Sequence, residues 1–228
     1  MPKFSLIIPT YNRPKILIDN LKKLRFDFPE AEIIVVDDGS QTEILPEIKK
    51  EFGGAIIYIK NEKNLGKGAS LRKGFLMAQG DYLIFTDDDL PYGTPIIKLI
   101  LEQLNEGHSI VIGQRDFFSD SFFKKLGRLT FNAIFKPLLG IKIKDTQAGI
   151  KGFKVDVGKK LFQLSFTNRF AIDLEILYLA QKFNIPISTI FVQTPQQQLT
   201  TFSWLDTLNI ALDVFKIIFH HYEKNAFH

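Results

Sequence analysis

Short apolar runs alternate with helical segments throughout the first half of the chain, and this alternation constrains the fold more than any other feature. Five runs have the length and apolar character of buried parallel strands: residues 4–9, 32–36, 56–59, 82–86 and 109–113. Four intervening segments carry apolar residues at helical spacing: residues 16–24, 44–52, 69–78 and 95–105. Alternation with such short connections predicts an α/β fold, in which a mostly parallel central sheet has helices on both faces.

The second half of the chain is less regular. Residues 146–153 indicate a turn that leads into a short strand, and residues 185–192 indicate a further strand. Helical patterns cover residues 155–164, 172–182 and 204–222. The segment 122–139 is basic, aromatic and helix-like. Because no repeat, low-complexity segment or linker interrupts the pattern, we expect a single domain over residues 1–228.

Composition limits the class of protein. The chain has 228 residues, of which 45% are hydrophobic and 24% charged, and this is enough to bury a substantial core. It contains no cysteine, which excludes disulfides and thiolate metal sites and fits a reducing compartment. The apolar run at the N-terminus is too short for a signal peptide, and no run reaches the roughly 20 residues of a membrane-spanning helix. A net charge of +4 suits anionic partners, although it also fits an ordinary soluble protein.

Polar clusters follow three of the predicted strands at the point where each strand ends. They are Thr10-Tyr11-Asn12 after the first strand, Asp37-Asp38 after the second and Asp87-Asp88-Asp89 after the fourth. Ligands of open α/β sheets bind beyond the carboxyl ends of the strands. The sequence therefore predicts a binding site at this edge of the sheet.

Three adjacent carboxylates repel one another. Either each of them is solvated in a turn, or a divalent cation offsets the repulsion, and Mg²⁺ and Mn²⁺ prefer such oxygen ligands. Residues two apart in a strand point the same way, so Asp87 and Asp89 can share one ion.

Two further motifs are ambiguous by themselves. Asp37 and Asp38 either accept hydrogen bonds from a base or ribose, or cap the helix that follows. Lys67 lies in a segment with glycines before a helix, where it either approaches a diphosphate or marks a capped helix start. This segment matches neither the P-loop nor the dinucleotide-binding pattern.

The combination of these motifs, in this order, resembles the family 2 glycosyltransferases, which have the Rossmann-like GT-A fold. The matching segments are PTYN (9–12), VDDGS (36–40), NLGKG (64–68), GD (80–81) and DDDL (87–90). Three later segments are similar to the dolichyl-phosphate β-glucosyltransferases and to the related dolichyl-phosphate mannose synthases: GQR (113–115), DTQAGIKGF (145–153) and IDLEILY (172–178).

The resemblance implies roles for individual residues. The donor would contact Pro9, Tyr11, Asp37, Asp38, Lys67, Asp87 and Asp88. A divalent metal, Mg²⁺ or Mn²⁺, would bind Asp87 and Asp89. The acceptor phosphate would contact Arg115, Arg128 and Gln147. If a general base is needed, Asp89, Asp173 and Glu175 are the candidates. The mannose synthases often carry Glu where this chain has Arg13, and relatives usually carry Ala where it has Asp88.

The resemblance also implies an activity. It is the metal-dependent, inverting transfer of a hexose, glucose from UDP-glucose, to a polyprenyl or dolichyl phosphate. Residues 1–113 would form the nucleotide-sugar and metal half, residues 114–203 the acceptor half, and residues 204–228 a C-terminal amphipathic helix. The alternative is a family 2 enzyme that acts on a glycan hydroxyl.

Three other classes of protein are disfavoured. A nucleotidyltransferase would carry a Gly-rich basic loop where Thr10, Tyr11 and Asn12 stand, and the intact Asp87 and Asp89 argue against a non-catalytic binding module. We expect no nucleic-acid partner, because the basic residues are scattered and no recognition motif appears.

Two segments raise the question of membrane contact. Residues 115–143 interleave Phe and Leu with Lys and Arg, and residues 204–222 are similar in character. Basic amphipathic helices with aromatic residues either lie in a membrane interface or pack on the sheet. An enzyme with a lipid-linked acceptor needs such a surface, so we expect a cytoplasmic protein that is peripheral on the cytosolic face of a membrane.

Residues 189–202 differ from the corresponding stretch of the relatives, which leaves the identity of the transferred sugar open.

Overall fold

A computed structural model describes residues 3–115, 139–140, 143, 145–146, 148–193 and 204–223. It contains seven strands in these parts of the chain: β1 (Phe4–Thr10), β2 (Glu32–Asp37), β3 (Ile56–Lys60), β4 (Tyr82–Thr86), β5 (Ile110–Arg115), β6 (Ile150–Lys154) and β7 (Ile187–Val192). The helices of the same parts are α1 (Pro14–Asp27), α2 (Leu45–Phe52), α3 (Lys67–Met77), α4 (Gly93–Asn105), α5 (Val155–Leu164), α6 (Ile172–Lys182) and α7 (Trp204–Glu223). The segment 122–139, which we predicted to be helix-like, lies almost wholly outside the described residues.

The seven strands form one sheet in the order β3-β2-β1-β4-β6-β5-β7. β1, β2, β3 and β4 run parallel, β7 is parallel to β5, and β6 is antiparallel to both β4 and β5. This confirms the predicted α/β fold with a mostly parallel sheet. The antiparallel insertion of β6 was not predicted, and it matters for the site. It sets Ile150 opposite Thr86, so the residues before β6 meet the turn after β4.

The central strands β1, β2 and β4 are buried on both faces because they are apolar at nearly every position, whereas the edge strands β3 and β7 are partly exposed. In β1, Ile7 packs into the core on one face, whereas Leu6 and Ile8 pack into the core on the other. This is the alternation expected of a strand, in which successive side chains point to opposite faces. Burial of each such side chain contributes about 1.5–3 kcal/mol to stability.

A cluster of aromatic rings joins the helices on one face to the sheet. Phe75 of α3 stacks on Phe162 of α5 at 3.8 Å between ring centroids, and it meets Phe153 of β6 edge-on at 5.4 Å. Phe85 of β4 also meets Phe75 edge-on. These rings hold α3 in place, and α3 begins at the predicted binding edge.

α1 begins earlier and ends later than the predicted segment 16–24. It starts at Pro14, which suits the first helical position because proline has no N–H to donate there. Within the described residues, no helix is long and apolar enough to cross a membrane.

Candidate active site

The ends of β1, β2 and β4 are tied together by hydrogen bonds. The amide of Asp38 donates to the carbonyl oxygen of Thr10 at 2.9 Å, and the Thr10 hydroxyl donates to Asp88 at 2.7 Å. The amide of Asn12 donates to the hydroxyl of Ser40 at 2.8 Å. The three predicted polar clusters therefore meet at one edge of the sheet.

Asp87 lies at the start of the turn after β4, beside Lys67 and Gly149. Its carboxylate accepts a hydrogen bond from the Lys67 ammonium at 2.6 Å, and its amide donates to the carbonyl oxygen of Gly149 at 3.2 Å. A Cβ at position 149 would lie 1.9 Å from the Asp87 carboxylate, so a larger residue there would force this carboxylate to move. The segment before β6 thus forms one wall of the acidic turn.

Asp88, the middle residue of the turn, is buried and fully engaged with the protein. Its carboxylate accepts hydrogen bonds from Thr10 and, at 3.2 Å, from Arg13. Its carbonyl oxygen accepts one from the Asn20 side chain at 2.9 Å. Burial raises the pKa of Asp88, whereas the hydrogen bond from Thr10 and the charge of Arg13 act in the opposite direction. These contacts join β1, α1 and β4 through Asp88, and the contact of Asp88 with the donor stays a prediction.

Asp89 has the one buried side-chain oxygen, in the parts of the chain that the structure describes, without a hydrogen-bond partner. That atom is Oδ1, while Oδ2 lies 3.6 Å from the Arg13 guanidinium. Burial, and next the nearby charge of Asp87, raise the pKa of Asp89. A buried carboxylate oxygen without a partner is costly unless a ligand satisfies it.

A divalent cation fits this arrangement. Among the described residues, no three acidic or histidine side chains converge in the manner of an all-protein metal site. Asp87 and Asp89 can still hold Mg²⁺ or Mn²⁺, because such ions are commonly bound by one or two carboxylates together with substrate phosphates and water. The unpartnered Oδ1 of Asp89 supplies a suitable ligand.

Asp37 and Asp38 lie at the same edge, and their carboxylates hold the surrounding loops. Asp37 accepts hydrogen bonds from the Ser40 amide at 2.8 Å and from the Tyr58 hydroxyl at 2.5 Å. Burial, and next this bond to Asp37, raise the pKa of Tyr58. Asp38 accepts bonds from the Leu65 and Gly66 amides at 2.9 and 2.8 Å. Asp38 therefore positions the loop that leads into α3, and Asp37 positions the turn that follows β2.

Lys67 is the first residue of α3 and lies between two carboxylates. Burial disfavours its charge, but the charges of Asp87 and Asp173 outweigh burial and raise its pKa. Its ammonium also lies 5.4 Å from the centre of the Phe85 ring. The preceding Gly66 has φ +101°, and a Cβ there would lie 2.4 Å from the carbonyl oxygen of Asn168. Only glycine allows this close packing of the loop.

Tyr11 and Pro9 lie at the open side of the edge. The Tyr11 side chain is 43% exposed, although it follows directly on a buried strand, and Pro9 beside it is half-buried. An exposed aromatic ring at a strand end is available to stack on a flat ligand group.

Asp173 pairs with a lysine that the sequence interpretation missed. Lys151 of β6 is buried and forms an ion pair with Asp173, and its ammonium also donates to the carbonyl oxygen of Ala148 at 2.9 Å. Burial lowers the pKa of Lys151, and the charge of Asp173 partly compensates. Lys151 belongs to the matching segment DTQAGIKGF (145–153), but the sequence interpretation gave it no role, because its pairing with Asp173 spans 22 positions.

Glu175 is buried against a loop and the last helix. Its carboxylate accepts hydrogen bonds from the Phe166 amide at 3.1 Å and from the Thr167 amide and hydroxyl at 2.9 and 2.6 Å. The His221 ring lies 2.9 Å away. The net effect of burial, which opposes ionisation, and of these hydrogen bonds, which favour it, is a lowered pKa for Glu175. This environment favours a structural role for Glu175.

Replacing Glu175 by Gln should destabilise the protein by about 2–4 kcal/mol near pH 7, because an amide cannot accept all of these hydrogen bonds. A carboxylate with a lowered folded-state pKa stabilises the fold above its unfolded pKa, and this contribution is lost as the pH falls through the folded pKa. The difference between the variant and the wild type should therefore shrink below about pH 4. Urea unfolding at both pH values measures it.

The control for this experiment is Glu102→Gln, since Glu102 is exposed on α4. That change should leave the unfolding free energy within about 0.5 kcal/mol of the wild type at either pH. An equal loss of stability for both variants, or a Glu175→Gln effect that does not depend on pH, would contradict the role given to Glu175.

Arg115 lies at the end of β5 and is held by a buried acid. Its guanidinium donates two hydrogen bonds to Asp145, at 2.7 and 3.0 Å, and its amide donates to the same carboxylate at 3.1 Å. Tyr92 lies near this pair, and burial raises its pKa to about 12. The sequence interpretation gave Tyr92 no role.

Arg128 and Gln147, the other residues predicted for the acceptor phosphate, lie outside the described residues.

A mostly parallel sheet with an acidic turn at its carboxyl edge is the architecture of GT-A glycosyltransferases, and solved structures of that kind share this fold. Mannosyl-3-phosphoglycerate synthase from Rubrobacter xylanophilus aligns with a TM-score of 0.71 at 16% identity, over 100% of this chain and 76% of that chain. Glucosyl-3-phosphoglycerate synthase from Mycobacterium tuberculosis, in complex with Mn²⁺ and UDP-glucose, aligns with a TM-score of 0.69 at 17% identity, over 95% and 78% of the respective chains.

The sequence comparisons identify the family. Residues 5–162 match the model of glycosyl transferase family 2, and the chain belongs to that family. It is 30% identical to the dolichyl-phosphate β-glucosyltransferase of Dictyostelium discoideum, over 95% of this chain and 74% of that protein. It is 31% identical to the protein of the same name from Drosophila melanogaster, over 94% and 74% of the respective chains. The predicted class, a family 2 glycosyltransferase with the GT-A fold, is confirmed.

Proposed function

We propose that this protein transfers glucose from UDP-glucose to a polyprenyl phosphate such as dolichyl phosphate, with the help of Mg²⁺ or Mn²⁺ and with inversion at the anomeric carbon. The observation that carries the proposal is the acidic turn at the strand edge, where Asp89 has a buried oxygen without a partner. Relatives named for dolichyl-phosphate glucosyl transfer support the substrates, and the neighbour solved with Mn²⁺ and UDP-glucose supports the donor and the metal.

The donor would lie along the ends of β1, β2 and β4. Tyr11 and Pro9 would contact the base, since Tyr11 offers an exposed ring there. Asp37 and Asp38 would contact the base and ribose from the loops that they hold in place. Lys67 would bind the diphosphate with its charged ammonium, which lies beside Asp87.

Asp87 and Asp89 would hold the metal, and Asp88 would fix the turn between them. A bound divalent cation supplies charge neutralisation for the departing diphosphate. Lys67 adds a positive charge on the same side. The protein thus holds its compensating charges in place before the reaction begins, which is the main source of electrostatic catalysis.

The acceptor phosphate would bind on the side of Arg115, together with Arg128 and Gln147. The two hydrogen bonds from Arg115 to Asp145 fix its planar guanidinium, and such a group suits a phosphate. One phosphate oxygen would bond to the anomeric carbon while the bond from that carbon to UDP breaks, and UDP would leave with the electron pair. Because the phosphate oxygen is already anionic, the demand for a general base is small.

The three carboxylates proposed as bases differ in environment. Glu175 is enclosed by protein donors, and Asp173 is bound to Lys151. Asp89 lies within the turn itself and keeps an unpartnered oxygen. If a general base is used, we propose Asp89 as the first candidate and Asp173 as the second. We propose that Glu175 stabilises the fold and is not the base.

A donor and acceptor panel tests this function. The purified protein is incubated with Mn²⁺ and one radiolabelled donor, which is UDP-glucose, UDP-galactose or GDP-mannose. Each donor is combined in turn with one acceptor, which is dolichyl phosphate, 3-phosphoglycerate or a free sugar. We expect label to enter the organic phase only from UDP-glucose and only with dolichyl phosphate. Transfer to 3-phosphoglycerate or to a sugar hydroxyl would overturn the lipid acceptor, and transfer from GDP-mannose would overturn the donor.

We further propose that the protein is peripheral on the cytosolic face of a membrane and that α7 contributes to contact with the lipid surface. Leu212, Phe215 and Phe219 are 59%, 51% and 66% exposed and lie on one side of the helix. Val214 and Ile217, on the other side, are buried against the domain. An exposed apolar stripe on an otherwise packed helix is a surface that an interface can cover.

Replacing Phe215 and Phe219 together by Ser should weaken binding to anionic phospholipid vesicles by about tenfold or more, because two exposed aromatic rings are lost. Vesicle co-sedimentation measures the change. The matched control is Phe26→Ser, which removes an aromatic ring that is 87% exposed on α1. Equal vesicle binding by the wild type and the double variant would remove α7 from the proposed membrane surface.

A further inference from the structure

Arg13 reaches from the start of α1 to the acidic turn after β4. It occupies the N-cap position of α1 without a capping side-chain hydrogen bond, and it follows Asn12, which has a left-handed φ of 56°. Its guanidinium lies 3.2 Å from Asp88 and 3.6 Å from Asp89, and its side chain is 25% exposed. One guanidinium therefore stands beside two of the three carboxylates.

The contact to Asp88 is the more firmly built of the two. Asp88 is buried and is also held by Thr10 and Asn20, so it cannot move away. Asp89 is more exposed than Asp88, its contact with Arg13 is longer, and its other oxygen has no partner. The ion pair between Arg13 and Asp89 can therefore break while the ion pair between Arg13 and Asp88 persists.

The contact between Arg13 and Asp89 affects metal binding because of the charges around the turn. Asp87, Asp88 and Asp89 carry three negative charges, and Lys67 and Arg13 supply two positive charges within ion-pair distance. An approaching dication meets both of these positive charges as well as the carboxylates. A nucleoside diphosphate adds negative charge at the same place, and the net electrostatic interaction of the site with the dication then becomes more strongly attractive.

We propose that Arg13 is a built-in counter-cation, which weakens the binding of a divalent metal ion until a nucleoside diphosphate is present. The proposal rests on the proposed metal-dependent donor site. Arg13 compensates Asp88 and Asp89 in the absence of nucleotide, and it releases Asp89 when metal and diphosphate bind together. Metal and nucleotide consequently bind as a unit, and the nucleotide-free protein has a low affinity for the metal.

The test measures Mn²⁺ binding by electron paramagnetic resonance, with and without UDP, in the absence of any acceptor. Arg13→Gln should tighten Mn²⁺ binding to the nucleotide-free protein on the order of tenfold, because one positive charge near the carboxylates is removed. With UDP present, the change should be much smaller. Arg13→Lys, which keeps the charge, should lie close to the wild type.

The matched control is Lys15→Gln, which removes one positive charge from an exposed position two residues further along. It should leave the Mn²⁺ affinity unchanged, and thermal unfolding of each variant confirms that the protein is folded. If Mn²⁺ binds the wild type with UDP, but Arg13→Gln leaves nucleotide-free binding unchanged, the role of Arg13 is wrong and the donor site stands. If Mn²⁺ does not bind the wild type even with UDP, both proposals fail.

Discussion

Replacing Asp89 by Asn should lower the rate of glucosyl transfer by about a thousandfold while the protein stays folded. The change keeps the size and shape of the side chain but removes the negative charge proposed to hold the metal. The rate is measured as label entering dolichyl phosphate at saturating UDP-glucose and Mn²⁺.

The same variant should be no less stable than the wild type. Oδ1 of Asp89 is buried without a partner, and burial raises the pKa of this carboxyl, so the fold does not benefit from the charge. Loss of activity with an unchanged or raised melting temperature is the signature of a ligand-binding group. Full activity would remove Asp89 from the metal site, and a large loss of stability would show that its role is structural.

Replacing Gly149 by Ala should lower the rate of transfer by about a hundredfold, although the substitution adds only one methyl group. A Cβ at this position would lie 1.9 Å from Oδ2 and 2.7 Å from Cγ of Asp87. The Asp87 carboxylate would have to leave its place beside Lys67. The apparent affinity for Mn²⁺ in the presence of UDP should fall together with the rate.

The matched control for this substitution is Gly54→Ala. A Cβ at position 54 would meet nothing within 4 Å, and Gly54 does not have a left-handed backbone. This variant should keep wild-type activity and Mn²⁺ affinity. Wild-type activity in Gly149→Ala would mean that the position of Asp87 does not matter for the reaction.

Much of the fold could be predicted because its determinants are local. The buried strands β1, β2 and β4 are apolar runs of five to seven residues, and the helices between them have clear apolar periodicity. Since parallel strands end at the same edge, the meeting of Thr10, Asp38 and Asp88 also followed from the pattern. The structure bears this out through hydrogen bonds of 2.7 and 2.9 Å between these residues.

The remaining features depend on contacts between distant parts of the chain. The pattern of residues 146–153 indicated a short strand, but its insertion between β4 and β5 is set by pairing with residues about 40 to 70 positions away. The pairs Lys151–Asp173 and Arg13–Asp88 span 22 and 75 positions, and neither has a local signature. For the same reason, sequence alone could not separate Asp173 from Glu175, which lie on one helix but contact different elements.

Phosphorus NMR of a single reaction tests the central claim most directly. The purified protein is mixed with UDP-glucose, dolichyl phosphate and Mg²⁺ in detergent, and the spectra are followed before and after EDTA is added and Mg²⁺ is restored. We predict that the phosphate monoester signal of the lipid converts to a phosphodiester signal as UDP appears, that EDTA stops both changes, and that Mg²⁺ restarts them. UDP formation with an unchanged lipid signal, or phosphodiester formation that continues in EDTA, would contradict the account.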